Sequence, residues 1–227
     1  MKPFSLLILP TLLLTALVGC GGSSDHDPET RLRVVHASPT APNVDVRIGS
    51  TVAFTNVPYF ADGLQLLTPG ATRIRVNGTG SATSVIDVTP TLDADRLYTV
   101  LAVDNLASIT AIIVNDPDSG PGLGQARVRL VHGSPSTGPV DIYVTAPGAA
   151  LPAVPTLEDV PFKGISNALT VTAGNYQIRI TPANTPGTIA IDTGSVNLPS
   201  NSSTVAVALD KSGGGSPLTA RTYTRTY

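Results

Sequence analysis

Cysteine, tryptophan and charge are what this chain has least of. Its 227 residues include one Cys, no Trp, one Met and three His, with 4% aromatic and only 13% charged residues. A single thiol forms no intrachain disulfide and no multi-thiolate metal site. A three-His zinc centre needs every imidazole in the chain to converge, and His26 sits in a polar stretch between Asp25 and Asp27. Scarce aromatics thin out the stacking platforms for bases and sugars. A formal charge of −2 offers no basic field, so nucleic acid is not an expected partner. No stretch of the mature region sustains apolar residues at i, i+3, i+4 and i+7, which excludes helices longer than a turn. G-x-S-x-G, H-E-x-x-H, Walker and S-x-x-K patterns are missing there too. No metal or cofactor is expected.

What is present is 41% hydrophobic residues with 21 Gly and 20 Pro, a mixture suited to short strands joined by tight turns. Met1-Lys2 and the apolar run Phe4–Val18 read as a secretory signal peptide over residues 1–19. The run carries Pro10 and is shorter than the ~20 apolar residues of a membrane span. Its end, Leu17-Val18-Gly19-Cys20, resembles the lipobox of bacterial lipoproteins. That resemblance implies that Cys20 is the lipid attachment site and that the protein meets the membrane through its N-terminal lipid; two or more acyl chains anchor stably. Gly21 after it, in place of Asp, implies sorting to the outer membrane. Residues 20–30 form the lipidated Cys and a flexible polar tether.

The rest of the chain says one thing twice. Arg31–Ile48, RLRVVHASPTAPNVDVRI, returns as Arg127–Val144, RVRLVHGSPSTGPVDIYV, and His36, Ser38 and Asp45 recur as His132, Ser134 and Asp141, each 96 positions on. Val57-Pro58-Tyr59 returns as Val160-Pro161-Phe162 after a longer, Pro-rich segment at 147–161. A period this long marks a duplicated domain: repeat one over 31–115, a linker over 116–125 and repeat two over 126–227. Candidate strands fall at 32–37, 44–48, 51–54, 64–67, 72–76, 84–88, 97–103 and 109–114, then at 128–132, 140–144, 169–172, 176–180, 188–192, 204–209 and 218–223. The expected fold is all-β, two tandem antiparallel β-sandwich domains, immunoglobulin-like or related, with independent cores. Asp93–Tyr98 resembles an immunoglobulin tyrosine corner, which repeat two lacks. The terminal Arg221, Tyr223, Arg225 and Tyr227 share one face, read as a closing edge strand whose arginines deter edge pairing.

Alternation places His36 with Leu32 and Val34, and His132 with Val128 and Leu130, on the apolar side, whereas Asp45 and Asp141 fall on the outer side. A His–Asp dyad needs direct contact, and this pattern opposes it. The six motif residues are therefore expected to serve structure, each His satisfied by backbone groups beside its Ser-Pro turn and each Asp capping turn amides or pairing with outward arginines. Arg33, Arg75 and Asp87, with Arg129, Arg179 and Asp192, are outward by the same count. The alternative is a hydrolase built on Ser38 or Ser134 with the neighbouring His.

The motif R-[LV]-R-[VL]-V-H-[AG]-S-P followed by V-D resembles a bacterial envelope family catalogued as domain of unknown function 4397. Repeat two departs from it only at Gly133 and at Gly138-Pro139. The resemblance implies an exported, often lipid-anchored protein with tandem β-sandwiches, and transfers no catalytic residue. The expected function is that of a non-enzymatic lipoprotein in the bacterial envelope, displaying its domains for adhesion, surface assembly or binding of an envelope protein or glycan. The loops at Val57–Phe60, Leu151–Phe162 and Ala183–Gly187 are the candidate contact surfaces.

Overall fold

The computed structural model describes residues 27–227. The signal segment, Cys20 and the tether as far as His26 lie outside the described residues. Repeat one contains β1 (Thr30–His36), β2 (Val44–Ile48), β3 (Thr51–Val57), β4 (Asp62–Leu67), β5 (Gly70–Ala71), β6 (Ile74–Gly78), β7 (Ser84–Val88), β8 (Thr91–Leu92), β9 (Arg96–Val103) and β10 (Thr110–Pro117). Repeat two contains β11 (Gln125–His132), β12 (Val140–Thr145), β13 (Leu157–Val160), β14 (Leu169–Thr172), β15 (Gly174–Pro182), β16 (Ile191–Asp192), β17 (Val196–Leu198), β18 (Ser202–Leu209) and β19 (Thr219–Thr226). The only helical turn among the described residues is Leu106–Ser108. The fold is all-β.

The two halves share one topology. Strand order β10-β9-β1-β4 in repeat one matches β19-β18-β11-β14 in repeat two, and β3-β2-β6-β7 matches β13-β12-β15-β16. Pairing is antiparallel except for β1 with β9 and β11 with β18, which run parallel. The β2–β3 hairpin closes in two residues, with Gly49 at φ +60, where a two-residue hairpin turn needs glycine. Tyr98 near the start of β9 accepts the Asp93 N–H at 3.0 Å, the back-bond expected of a tyrosine corner.

Alternation works plainly in β2, where Val44, Val46 and Ile48 are buried and Asp45 and Arg47 are half-buried. The inner strands break that pattern. Every residue of β18 is buried, as is every residue of β9 after Arg96, the signature of strands covered on both faces. Their near-continuous apolar sequences, LYTVLAV and STVAVAL, have a physical reason in three stacked apolar layers. One lies inside repeat one (Leu32, Val46, Ile74, Val100) and one inside repeat two (Val128, Ile142, Ile178, Ala206). The third joins Val35, Leu101, Val103 and Val114 of repeat one to Val131, Val205, Val207 and Tyr223 of repeat two. The expectation of independent cores is corrected here: the repeats share a core, because each inner sheet is apolar on the side turned toward the other.

The contact is reciprocal. Arg33 in β1 donates to the Thr224 carbonyl in β19 at 3.2 Å, while Arg129 in β11 donates to the Asn115 carbonyl in β10 at 3.3 Å. These are equivalent residues reaching equivalent strands, the relation found across an isologous two-fold interface. The loops repeat it: Tyr59 donates to the Asp210 carbonyl, and Lys163 pairs with the Asp104 carboxylate at 3.1 Å. Arg33 and Arg129 are thus not solvent-facing. Burial lowers the Arg33 pKa, while Asp62 opposes the shift at 3.2 Å.

Residues 116–125 are tied down at their start. Asp116 pairs with Arg129, and Asp118 lies between Arg31 at 2.7 Å and Arg225 at 2.9 Å. β19 is a sheet edge, but its Arg/Tyr face packs on repeat one instead of guarding that edge. Tyr223 donates to the Phe60 carbonyl at 3.0 Å, and Arg221 lies over the Phe60 ring.

Candidate functional site

The repeated H-x-S-P segment closes β1 and β11 with the same geometry twice. His36 and His132 are 1% and 0% exposed. In each, Nδ1 accepts the backbone N–H of the following Ser at 3.4 Å, so Nε2 carries the proton and donates at 3.0 Å, to the Pro42 carbonyl in one repeat and the Gly138 carbonyl in the other. Tyr59 and Phe162 meet these imidazoles edge-on, with centroids 5.7 and 6.1 Å away. Burial lowers both histidine pKa values, opposed by the carbonyl bonds. Both rings are neutral and fully engaged at neutral pH.

The serine hydroxyls turn elsewhere. Ser38 donates to the Asp104 carbonyl, and Ser134 donates to the Asp210 carboxylate. Asp210, 1% exposed, also accepts Ser136 Oγ at 2.8 Å and the Gly215 N–H at 2.9 Å. The serine-to-imidazole hydrogen bond of a nucleophile–base pair is not formed in either repeat. Asp104 and Asp210 escaped the sequence reading, although each directly follows an equivalent strand, β9 or β18, and the repeat itself carried that signal.

Asp45 and Asp141 are remote from the histidines' hydrogen bonds. Asp45 accepts the Asn56 N–H at 2.8 Å and the Gly80 N–H at 3.2 Å; Asp141 accepts those of Asp159 and Asn184, each at 2.9 Å. All four donors have positive φ. Asn56 and Asp159 lie where β3 and β13 slip register against their partners. Each aspartate thus satisfies amides that the ladder leaves unpaired. The Asn56 and Gly80 amides hold the Asp45 carboxyl below the ordinary value. Asp141 departs from its outward placement in being only 5% exposed, because the insertion before β13 lies over it. The outward arginines also find other partners: Arg73, not Arg75, pairs with Asp87, and Arg179 donates to Thr145 and the Ala150 carbonyl.

Where the repeats differ, a cavity forms. The β2–β3 turn has two residues, whereas its equivalent between β12 and β13 spans residues 146–156. With the 183–187 turn this insertion walls a cavity of about 320 Å³ lined by Asp141, Tyr143, Pro155, Glu158, Asp159 and Asn184. A second cavity, about 310 Å³, opens between β16 and β19. No group of three or more His, Cys, Asp or Glu among the described residues is arranged to hold a metal ion.

The family model described as Domain of unknown function (DUF4397) matches residues 30–143, which takes in repeat one, β11 and β12 as far as Tyr143. No curated protein matches the chain. Among solved structures, the CBMbc (family CBM26) crystal structure from Eubacterium rectale Amy13K, in complex with maltoheptaose, is 14% identical. It covers 88% of this chain and 97% of its own, with a TM-score of 0.27. A leucine-rich repeat protein from Bacteroides thetaiotaomicron is 12% identical and covers 82% of this chain and 26% of its own, with a TM-score of 0.23.

Proposed function

Because the chain belongs to the DUF4397 family, a domain of unknown function, we propose that it is a non-enzymatic envelope lipoprotein, anchored through Cys20, whose paired sandwiches display ligand-binding loops. One observation carries this reading: in both repeats every polar atom of the motif His and Ser is spent on the fold. A hydrolase on Ser38 or Ser134 would need that histidine free to take the hydroxyl proton. The variation between repeats lies instead in the outer loops, where binding surfaces concentrate.

The test has two arms. Labelled palmitate should mark the wild type and not Cys20→Ser when both are expressed in a bacterium; equal labelling counts against the anchor. Esterase, glycosidase and peptidase probes should give no turnover that His36→Ala or His132→Ala abolishes. Turnover lost in a variant that remains folded would restore the hydrolase.

A further inference from the structure

We infer that the outer-face cavity of repeat two is a binding site for an organic cation, an ammonium or guanidinium group. The inference rests on the ligand-display reading and names the ligand class. The cavity is rich in acceptors: Asp141, Glu158 and Asp159 line it, and no basic residue does. Arg179, opposite Tyr143 across the β12–β15 ladder, is turned to Thr145 and Ala150 at the base of the insertion.

Tyr143 supplies an independent observation. It lies on the outward side of β12, between Ile142 and Val144, and is only 2% exposed, yet its hydroxyl has no hydrogen-bond partner among the described residues while the side chain lines the cavity. The hydroxyl of a buried tyrosine ordinarily finds a partner; that of Tyr143 is not sealed inside the protein, and the open space its side chain borders is the cavity.

The first repeat is a built-in control. By strand register, Asp141, Tyr143, Glu158, Asp159 and Asn184 correspond to Asp45, Arg47, Thr55, Asn56 and Gly80. Repeat one thus carries its own cation at the tyrosine position and a single carboxylate. Repeat two has replaced that cation with Tyr143, added two carboxylates and walled the space with residues 146–156. The change removes an internal positive charge and leaves its place open to one from outside.

The experiment titrates the full chain with n-butylammonium, n-butylguanidinium, a capped lysine tripeptide, uncharged n-butanol and maltose, read by calorimetry and amide NMR shifts. The cations should bind with shifts centred on β12, β13 and residues 183–187, and butanol should not. Glu158→Gln with Asp159→Asn should weaken binding at least about tenfold, the loss expected from a charge-assisted hydrogen bond. Tyr143→Phe, which keeps the ring, should weaken it by a smaller factor. Equal binding of butylammonium and tripeptide marks a free amine as the source, and tighter tripeptide binding marks a protein lysine; either supports the inference. Cation binding that ignores these substitutions, or no binding, overturns it. Maltose bound in the cations' place overturns it too, yet leaves ligand display standing, whereas His132-dependent turnover would sink display itself.

Discussion

At the scale of single residues, the motif histidine behaves as a hinge-pin of the sandwich rim. Replacing His132 by Ala opens a cavity and orphans the Gly138 carbonyl and the Ser134 amide, a cost of about 1–3 kcal/mol. The pH dependence follows from a folded-state pKa depressed below 6.5. Above pH 6.5 both states hold a neutral ring and the contribution is complete. As pH falls through 6.5 the unfolded chain takes up a proton first, and stability is lost until the folded value has been passed. Urea unfolding of the full chain at pH 7.5, 6.5 and 5.5 should therefore show wild type losing more stability on acidification than His132→Ala. Parallel curves would mean the imidazole is free to protonate in the folded state. The residue's place on the apolar side and its reliance on backbone groups beside the Ser-Pro turn were legible from the sequence; which carbonyl and which amide serve it was not, since that depends on the turn at 133–139.

At the scale of elements, the aspartates hold strands together. Asp141 joins β12 to β13 and to the turn after β15, and its burial keeps water from replacing either bond. Asp141→Asn puts an amide NH₂ against one of two backbone N–H groups, and the expected loss is about 1–3 kcal/mol, with the same substitution at the more exposed Asp45 costing less. Equal, small changes in urea midpoint for both would show that the bonds exchange freely with solvent. Strand alternation alone puts Asp141 and Asp45 on the same outer face; the overlying insertion makes the difference. Most strands could be read from turn residues and alternation, β2, β7 and β14 to the residue. β13 was hidden in a Pro-rich segment, and the Arg221–Tyr227 stripe read as an edge guard because sequence gives a strand's faces without saying what lies against them.

At the scale of the molecule, the two cores were legible from the repeat and the third layer was not, although the doubly apolar β9 and β18 announced it. Repeat one expressed alone over 27–117 leaves Val35, Leu101, Val103, Ile112 and Val114 uncovered, an apolar patch that soluble monomers avoid. It should self-associate in sedimentation, through the face that normally meets its twin. Likewise, full chain nicked within 119–124 should keep its fragments together. A stable monomeric repeat one, or fragments that separate, would show the shared layer to be weak. The stacking has one more consequence. Four sheets in series put the outer faces of the repeats back to back, about 30 Å apart at roughly 10 Å per layer. Two copies of a module commonly gain avidity by gripping neighbouring sites on one surface. Here a flat wall met by one outer face is turned away from by the other, so under the proposed display of ligand-binding loops the two faces would meet different neighbours, a bridge rather than a clamp.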